Sequence, residues 1–164
     1  MSNYGQFHEQ LQAVLTELRR QSAAHAALVL SGDGAVLQSV GDLHTDLDAL
    51  AAYAASAVMV GERLGEGAAF GPPEVVMVVY GGRAVVMAPL GPVVAVVIGA
   101  ASQLGVLRLT LARYLDDLNA ALRGELAPPH VGDPGAGGHD SPTDGDHSLT
   151  GEGLPGIRIN PGLV

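Results

Sequence analysis

The chain contains no cysteine, no tryptophan and no lysine. Without cysteine there is neither a disulfide framework nor a thiolate metal site. Without lysine there is no phosphate-binding P-loop, which needs that side chain on the nucleotide phosphates. All eight basic residues are arginine, a bias of composition rather than of chemistry. Positive charge is scarce altogether, since Asp and Glu number 17 and the formal net charge is −9. That balance opposes binding to nucleic acid and to anionic membrane surfaces, both of which attract basic patches. The N-terminal stretch MSNYGQFHEQ lacks the basic and apolar regions of a signal peptide, so the expected location is the cytoplasm. A length of 164 residues fits one domain.

Charge is almost missing from Glu74 to Ala100, EVVMVVYGGRAVVMAPLGPVVAVVIGA. A membrane helix needs about 20 consecutive apolar residues. Here Gly81-Gly82-Arg83 interrupts the middle, and Pro89 and Pro92 bracket Leu90-Gly91. Proline removes a helical hydrogen bond and clashes with the preceding turn. An arginine at mid-bilayer costs about 2.5–3.5 kcal/mol. The Val-rich pieces between the breaks, Val75–Tyr80, Ala84–Ala88 and Val93–Ile98, read as three consecutive antiparallel strands. Their near-continuous apolarity predicts helices over both faces.

The rest of the chain supplies those helices. Phe7, Leu11, Val14, Leu15 and Leu18 follow the spacing of an amphipathic helix, with Ser2 or Asn3 as its cap. Ser31-Gly32-Asp33-Gly34 separates two apolar runs and predicts a β-hairpin. Asp42 or Thr45 begins a second helix, over about Asp46 to Leu64, which Gly65, Gly67, Gly71, Pro72 and Pro73 end. Ser102 caps a third, with Leu104, Leu107, Leu111, Leu115, Leu118 and Leu122 on one face and Gly124 as its stop. The expectation is an α/β three-layer domain over 4–126, with a five-stranded antiparallel sheet in the order helix, hairpin, helix, meander, helix. From about Ala127 to Val164 the composition turns to Gly, Pro, Asp, Ser and His, as in a disordered acidic tail. Its end, LPGIRINPGLV, is less polar; an unstructured terminus is the first reading and a short docking motif the second.

No stretch carries a firm catalytic signature. Gly151-Glu152-Gly153-Leu154-Pro155-Gly156 matches GxGxxG by letter but has no preceding strand, and Pro155 opposes a following helix. The run from Asp140 lacks a calcium loop's ligands, with Pro142 at position three and Gly151 at position twelve. His139, Asp140, Asp144, Asp146 and His147 read as a solvated acidic tail before they read as a metal site. Neither His25 nor His44 has a Ser, Cys or paired acid as its immediate neighbour in sequence. Asp116 and Asp117 are adjacent and splay about 100° apart on a helix, so they form no acid/base pair. No cofactor or metal is expected.

The second helix is more informative. Ala49 to Gly61, ALAAYAASAVMVG, holds no charge. Leu47, Leu50, Ala51, Ala54 and Val58 fall on one face, which should pack on the sheet. The opposite face carries Ala49, Ala52, Tyr53, Ser56, Met59 and Val60, where a monomer's surface helix should be polar. The small residues let another helix approach, and Tyr53 and Met59 are adaptable contact residues. An interface along this helix is expected; the alternative is an Ala-rich surface helix, favoured by propensity alone.

With these elements in place, the chain resembles the Roadblock domains over about Phe7 to Leu122. The resemblance rests on the hairpin ALVLSGDGAVLQSVG with its S-x-D-G turn, the Ala-rich helix DLDALAAYAASAVMVGERLG, the strand pair VVMVVYGGRAVVMAPLG and the closing helix. It implies homo- or heterodimers in which second helices pack together and sheet edges pair. It also implies a non-enzymatic platform for Ras-like small GTPases, able in bacteria to tune their nucleotide hydrolysis; other members are motor light chains. Such a regulator need not donate an arginine, since it can shift the GTPase toward a conformation that aligns its own groups. Carried onto this chain, the implied dimer residues are Ala49, Ala52, Tyr53, Ser56, Met59, Val60 and Arg63. The implied edge is Val75, Val76, Met77, Val78 and Val79, and if an arginine touches the GTPase, Arg63 at the helix end is the first choice. The tail lies outside the resemblance. The functional expectation is thus a cytoplasmic, homodimeric signalling regulator or scaffold. The alternatives are a structural adaptor subunit, a small-molecule sensor and, last, a hydrolase.

Overall fold

The structure, a computed structural model, describes residues 3–124. The expected tail and its letter matches lie outside the described residues. In chain order the elements are α1 (Asn3–Ser22), β1 (Ala26–Ser31), β2 (Val36–Gly41), α2 (Leu47–Gly67), β3 (Val76–Val79), β4 (Arg83–Leu90), β5 (Val93–Ala100) and α3 (Leu104–Leu122). The strands form one antiparallel sheet in the order β2-β1-β5-β4-β3. The β1–β5 pairing, from Ala26↔Ile98 to Ser31↔Val93, joins the hairpin to the meander. These two strands are the most buried of the five and lie inside the sheet, where both faces are covered.

Strand alternation divides the interior into two cores. On one face Leu11, Leu15 and Leu18 of α1 and Leu107, Leu111 and Leu118 of α3 cover Ala27, Val29, Val86, Ala95 and Val97. On the other, Ala51, Ala54, Ala55 and Val58 of α2 cover Leu28, Leu30, Met87, Val94, Val96 and Ile98. Full burial of each Leu or Val contributes about 1.5–3 kcal/mol. The α2 layer buries mainly alanines, so its own share is smaller.

Several sequence expectations shift. α2 runs to Gly67 rather than ending near Leu64, and its cap is Asp46 rather than Asp42 or Thr45. The Asp46 Oδ1 accepts hydrogen bonds from the Asp48 and Ala49 amides at 3.1 and 3.2 Å. Gly65 does not end the helix but lies buried within it, because the Gly71 backbone packs on it; a Cβ at Gly65 would sit 1.9 Å from the Gly71 carbonyl oxygen. Ser102 caps nothing; it lies in a 3₁₀ turn, Ala101–Gln103, that precedes α3. Asn3 is the first residue of α1 rather than a cap before it, and Ser2 lies outside the described residues. Pro89 lies inside β4, paired with Val94 of β5. β3 opposes β4 only as far as Met87, so Pro89 has no ladder bond to lose on that side. Finally, helices cover both faces of β4 and β5 but not of β3, whose Met77 and Val79 are 41% and 55% exposed.

Candidate partner interface

The α2 helix crosses the sheet. Near its start, Ala52 lies against the β1–β2 turn, where a Cβ on Gly34 would come within 2.8 Å of the Ala52 Cα. Further on, Gly61 lies against β3, where an added Cβ would meet Val76 Cγ2 at 3.0 Å and Pro73 Cγ at 3.4 Å. Glycine at both positions lets helix and sheet approach closely. The helix therefore runs from the hairpin end toward the free edge of β3.

Its outward face is apolar and exposed. Tyr53, Met59 and Val60 are 75%, 53% and 67% exposed; Ala52, Ser56 and Arg63 are also exposed, and Ala49 is half-buried. The Ser56 hydroxyl donates to the Ala52 carbonyl at 2.8 Å, so its hydrogen-bonding need is met within the helix. Two further residues extend this surface and escaped the sequence reading. Leu64, 72% exposed, continues the helical spacing four residues after Val60; ending the helix there hid it. Phe70, 86% exposed, stands in the loop after α2, where no periodicity signals it. That loop is fixed by its own bonds: the Ala68, Ala69 and Phe70 amides donate to the Leu64, Glu66 and Gly65 carbonyls at 3.0, 3.2 and 2.8 Å.

The edge residues divide by face. Val76 and Val78 pack toward α2 and Val75 toward the α1/α3 core, while Met77 and Val79 are open to solvent. β3 has β4 as its one strand neighbour among the described residues, leaving its outer backbone without a strand partner. Arg63 makes no ion pair among the described residues.

Open grooves lie on both faces of the sheet. One lies on the α2 face, between Leu43, Leu50, Val85 and Ile98, with Tyr80 and Arg83 at its mouth. The other lies between β4 and α3, rimmed by Glu74 and Arg108. The described histidines do not converge. His8 Nδ1 meets Gln38 Oε1 at 3.3 Å, and His44 Nε2 lies 3.6 Å from Asp42 Oδ2. His25 precedes β1, its amide donating to the Ile98 carbonyl at 2.8 Å. Asp116 and Asp117 are exposed on α3. Among the described residues no group of three or more His, Asp or Glu is arranged to hold a metal ion, and no helix is long and apolar enough to cross a membrane.

The three-layer domain, one five-stranded antiparallel sheet between α2 and the α1/α3 pair, defines the fold class. The chain belongs to the Roadblock/LC7 family, whose domain profile matches residues 10–99, more than half of its length. Members of that family are generally regulatory and non-catalytic. Solved structures share the fold. Myxococcus xanthus MglB superposes with a TM-score of 0.67 at 21% identity, over 74% of this chain and 94% of that one. An MglB with a tetrameric arrangement gives 0.66 at 21%, over 73% and 93%. The gliding protein MglB of Thermus thermophilus gives 0.65 at 20%, over 72% and 92%. No curated protein matches the chain significantly.

Proposed function

We propose that this chain is a non-catalytic, homodimeric regulator or scaffold for a Ras-like small GTPase, acting on the GTPase's nucleotide state. The carrying observation is the uncharged, exposed stripe of α2 that reaches the open edge of β3 at Gly61. Ala52 and Ser56 are small enough for a second helix to approach at the usual 8–10 Å or so. Tyr53, Met59, Val60 and Leu64 supply apolar contact. Pairing of β3 with a second β3 removes an exposed edge, a standing liability of open sheets. The tetrameric arrangement described for one MglB supports self-association as a habit of this fold.

Two measurements test the reading. The double variant Ala52→Arg/Ser56→Arg is expected to be monomeric by analytical ultracentrifugation, where the natural chain is a dimer; an unchanged dimer removes α2 from the interface. Immobilised protein is expected to retain a small GTPase from lysate of its source mainly with a non-hydrolysable GTP analogue. Equal recovery with GDP leaves a scaffold, and no GTPase in either condition overturns the assignment.

A further inference from the structure

We propose that Phe70 of one protomer fills the apolar groove beside the start of α2 on a second copy of the chain. This rests on the α2–β3 dimer proposed above and names a contact within it.

The first observation is how Phe70 is presented. A phenyl ring 86% exposed forgoes the burial that an aromatic side chain ordinarily contributes. The loop does not let it fold back. Three amide bonds return the loop to the last turns of α2. Ala69 and Gly71 are both left-handed, at φ 59° and 84°. Gly71 sits on Gly65, and Pro73 sits on Gly61. A left-handed alanine is costly and persists only where its surroundings impose it.

The second observation is a receptor of matching chemistry. The groove offers about 280 Å³ between Leu43, Leu50, Val85 and Ile98. An apolar cavity of about 150 Å³ is already enough for a benzene ring. At its mouth stands Arg83, exposed, whose guanidinium suits the face of an incoming ring.

The third is placement. The groove is lined by Leu50, Val85 and Ile98 of the α2 face, and Phe70 is bonded to the last turn of α2, beyond the point where Gly61 meets the start of β3. Phe70 precedes Val76, the first residue of β3, and Tyr80 at the groove mouth follows Val79, the last. α2 arrives over β3 at Gly61 and continues through Gly67, six residues further. At about 1.5 Å per residue that is roughly 9 Å further along the helix axis, and so at most about two strand spacings past β3. Two β3 edges paired antiparallel about a two-fold axis normal to the sheet keep both α2 helices on one side. The same axis exchanges the ends of β3. The overhanging Phe70 therefore comes above the Tyr80 end of the second copy, where the groove opens. The operation is its own inverse, so the contact forms twice.

The absence of cysteine makes the test direct. Phe70→Cys and Thr45→Cys each introduce a single thiol, the second at the exposed rim of the groove. One variant carries a size tag, and the two are mixed and mildly oxidised. The expected product is a disulfide-linked heterodimer on a non-reducing gel, its cross-linked peptide identified by mass spectrometry. Adding Ala52→Arg/Ser56→Arg to both chains is expected to abolish it. Phe70→Ala is expected to weaken self-association about 10- to 100-fold, as for an interface anchor, with an unchanged melting temperature of the monomer. A natural chain that dimerises while the thiols do not link and Phe70→Ala dimerises equally well overturns this contact and leaves the dimer standing. A natural chain that is monomeric overturns both.

Discussion

Gly65 shows how much one missing methyl group decides. The chain folds back on α2 so closely that the Gly71 carbonyl occupies the space of a Cβ. Gly65→Ala must displace backbone, and overpacking of this kind costs about 1–3 kcal/mol. Thermal unfolding should show the loss as a clear drop in melting temperature, and Gly67→Ala, with open space around it, should not. At Ala23 the situation is reversed. It takes φ 52° at the end of α1, where its amide donates to the Arg20 carbonyl. Ala23→Gly should relieve that strain and stabilise by up to about 1 kcal/mol in denaturant titration. Glu17 gives a residue-scale pH effect. The Arg20 guanidinium, first, and the Gln21 amide, second, hold its carboxyl down to about 2 from an ordinary 4.5. A depressed folded value favours the folded state above the ordinary carboxylate range, and that contribution disappears as pH falls from 4.5 toward 2. The Glu17 side chain keeps 42% of its surface in solvent, so the effect on stability is small. Its carboxyl carbon should titrate near 2 by NMR, and Arg20→Ala should return the midpoint toward the usual range.

At the scale of elements, the cores rest on different side chains. Leu111, 1% exposed in α3, should cost about 2–5 kcal/mol when cut to Ala. Ala54→Gly in α2 removes a single methyl and should cost about 1 kcal/mol, mostly from helix propensity. Chemical denaturation of both variants checks the contrast. Such elements were readable because their periodicity is strong: the leucines of α1 and α3 and the Val runs of the meander announce themselves. What stayed hidden depended on contacts between distant residues. Gly65 read as a helix stop because nothing local reveals that Gly71 returns to it. Pro89 read as a break because its tolerance depends on where β3 stops. The half-bare face of β3 was not legible in the residues themselves, since Val76, Met77, Val78 and Val79 look alike; only the family resemblance named that strand as the edge. Of the candidate surface, the α2 stripe was legible up to Arg63. Leu64 was lost with the helix end, and Phe70 carries no pattern at all.

On the scale of the whole molecule, the sheet separates two layers that share strands but no side-chain core. The α1/α3 layer is leucine-rich, and the α2 layer depends on Ala51, Ala54, Ala55 and Val58. The lighter layer is also the one with the apolar outer face. Regional stability follows buried apolar contact, so α2 should open locally at lower free energy than α1 and α3. Covering its outer face with a second copy would close that gap. Amide hydrogen exchange in α2 should therefore slow as protein concentration rises, while exchange in α3 stays constant. The sheet then acts as a partition: one side keeps the fold, and the other reports, through how often it opens, whether the protein is alone.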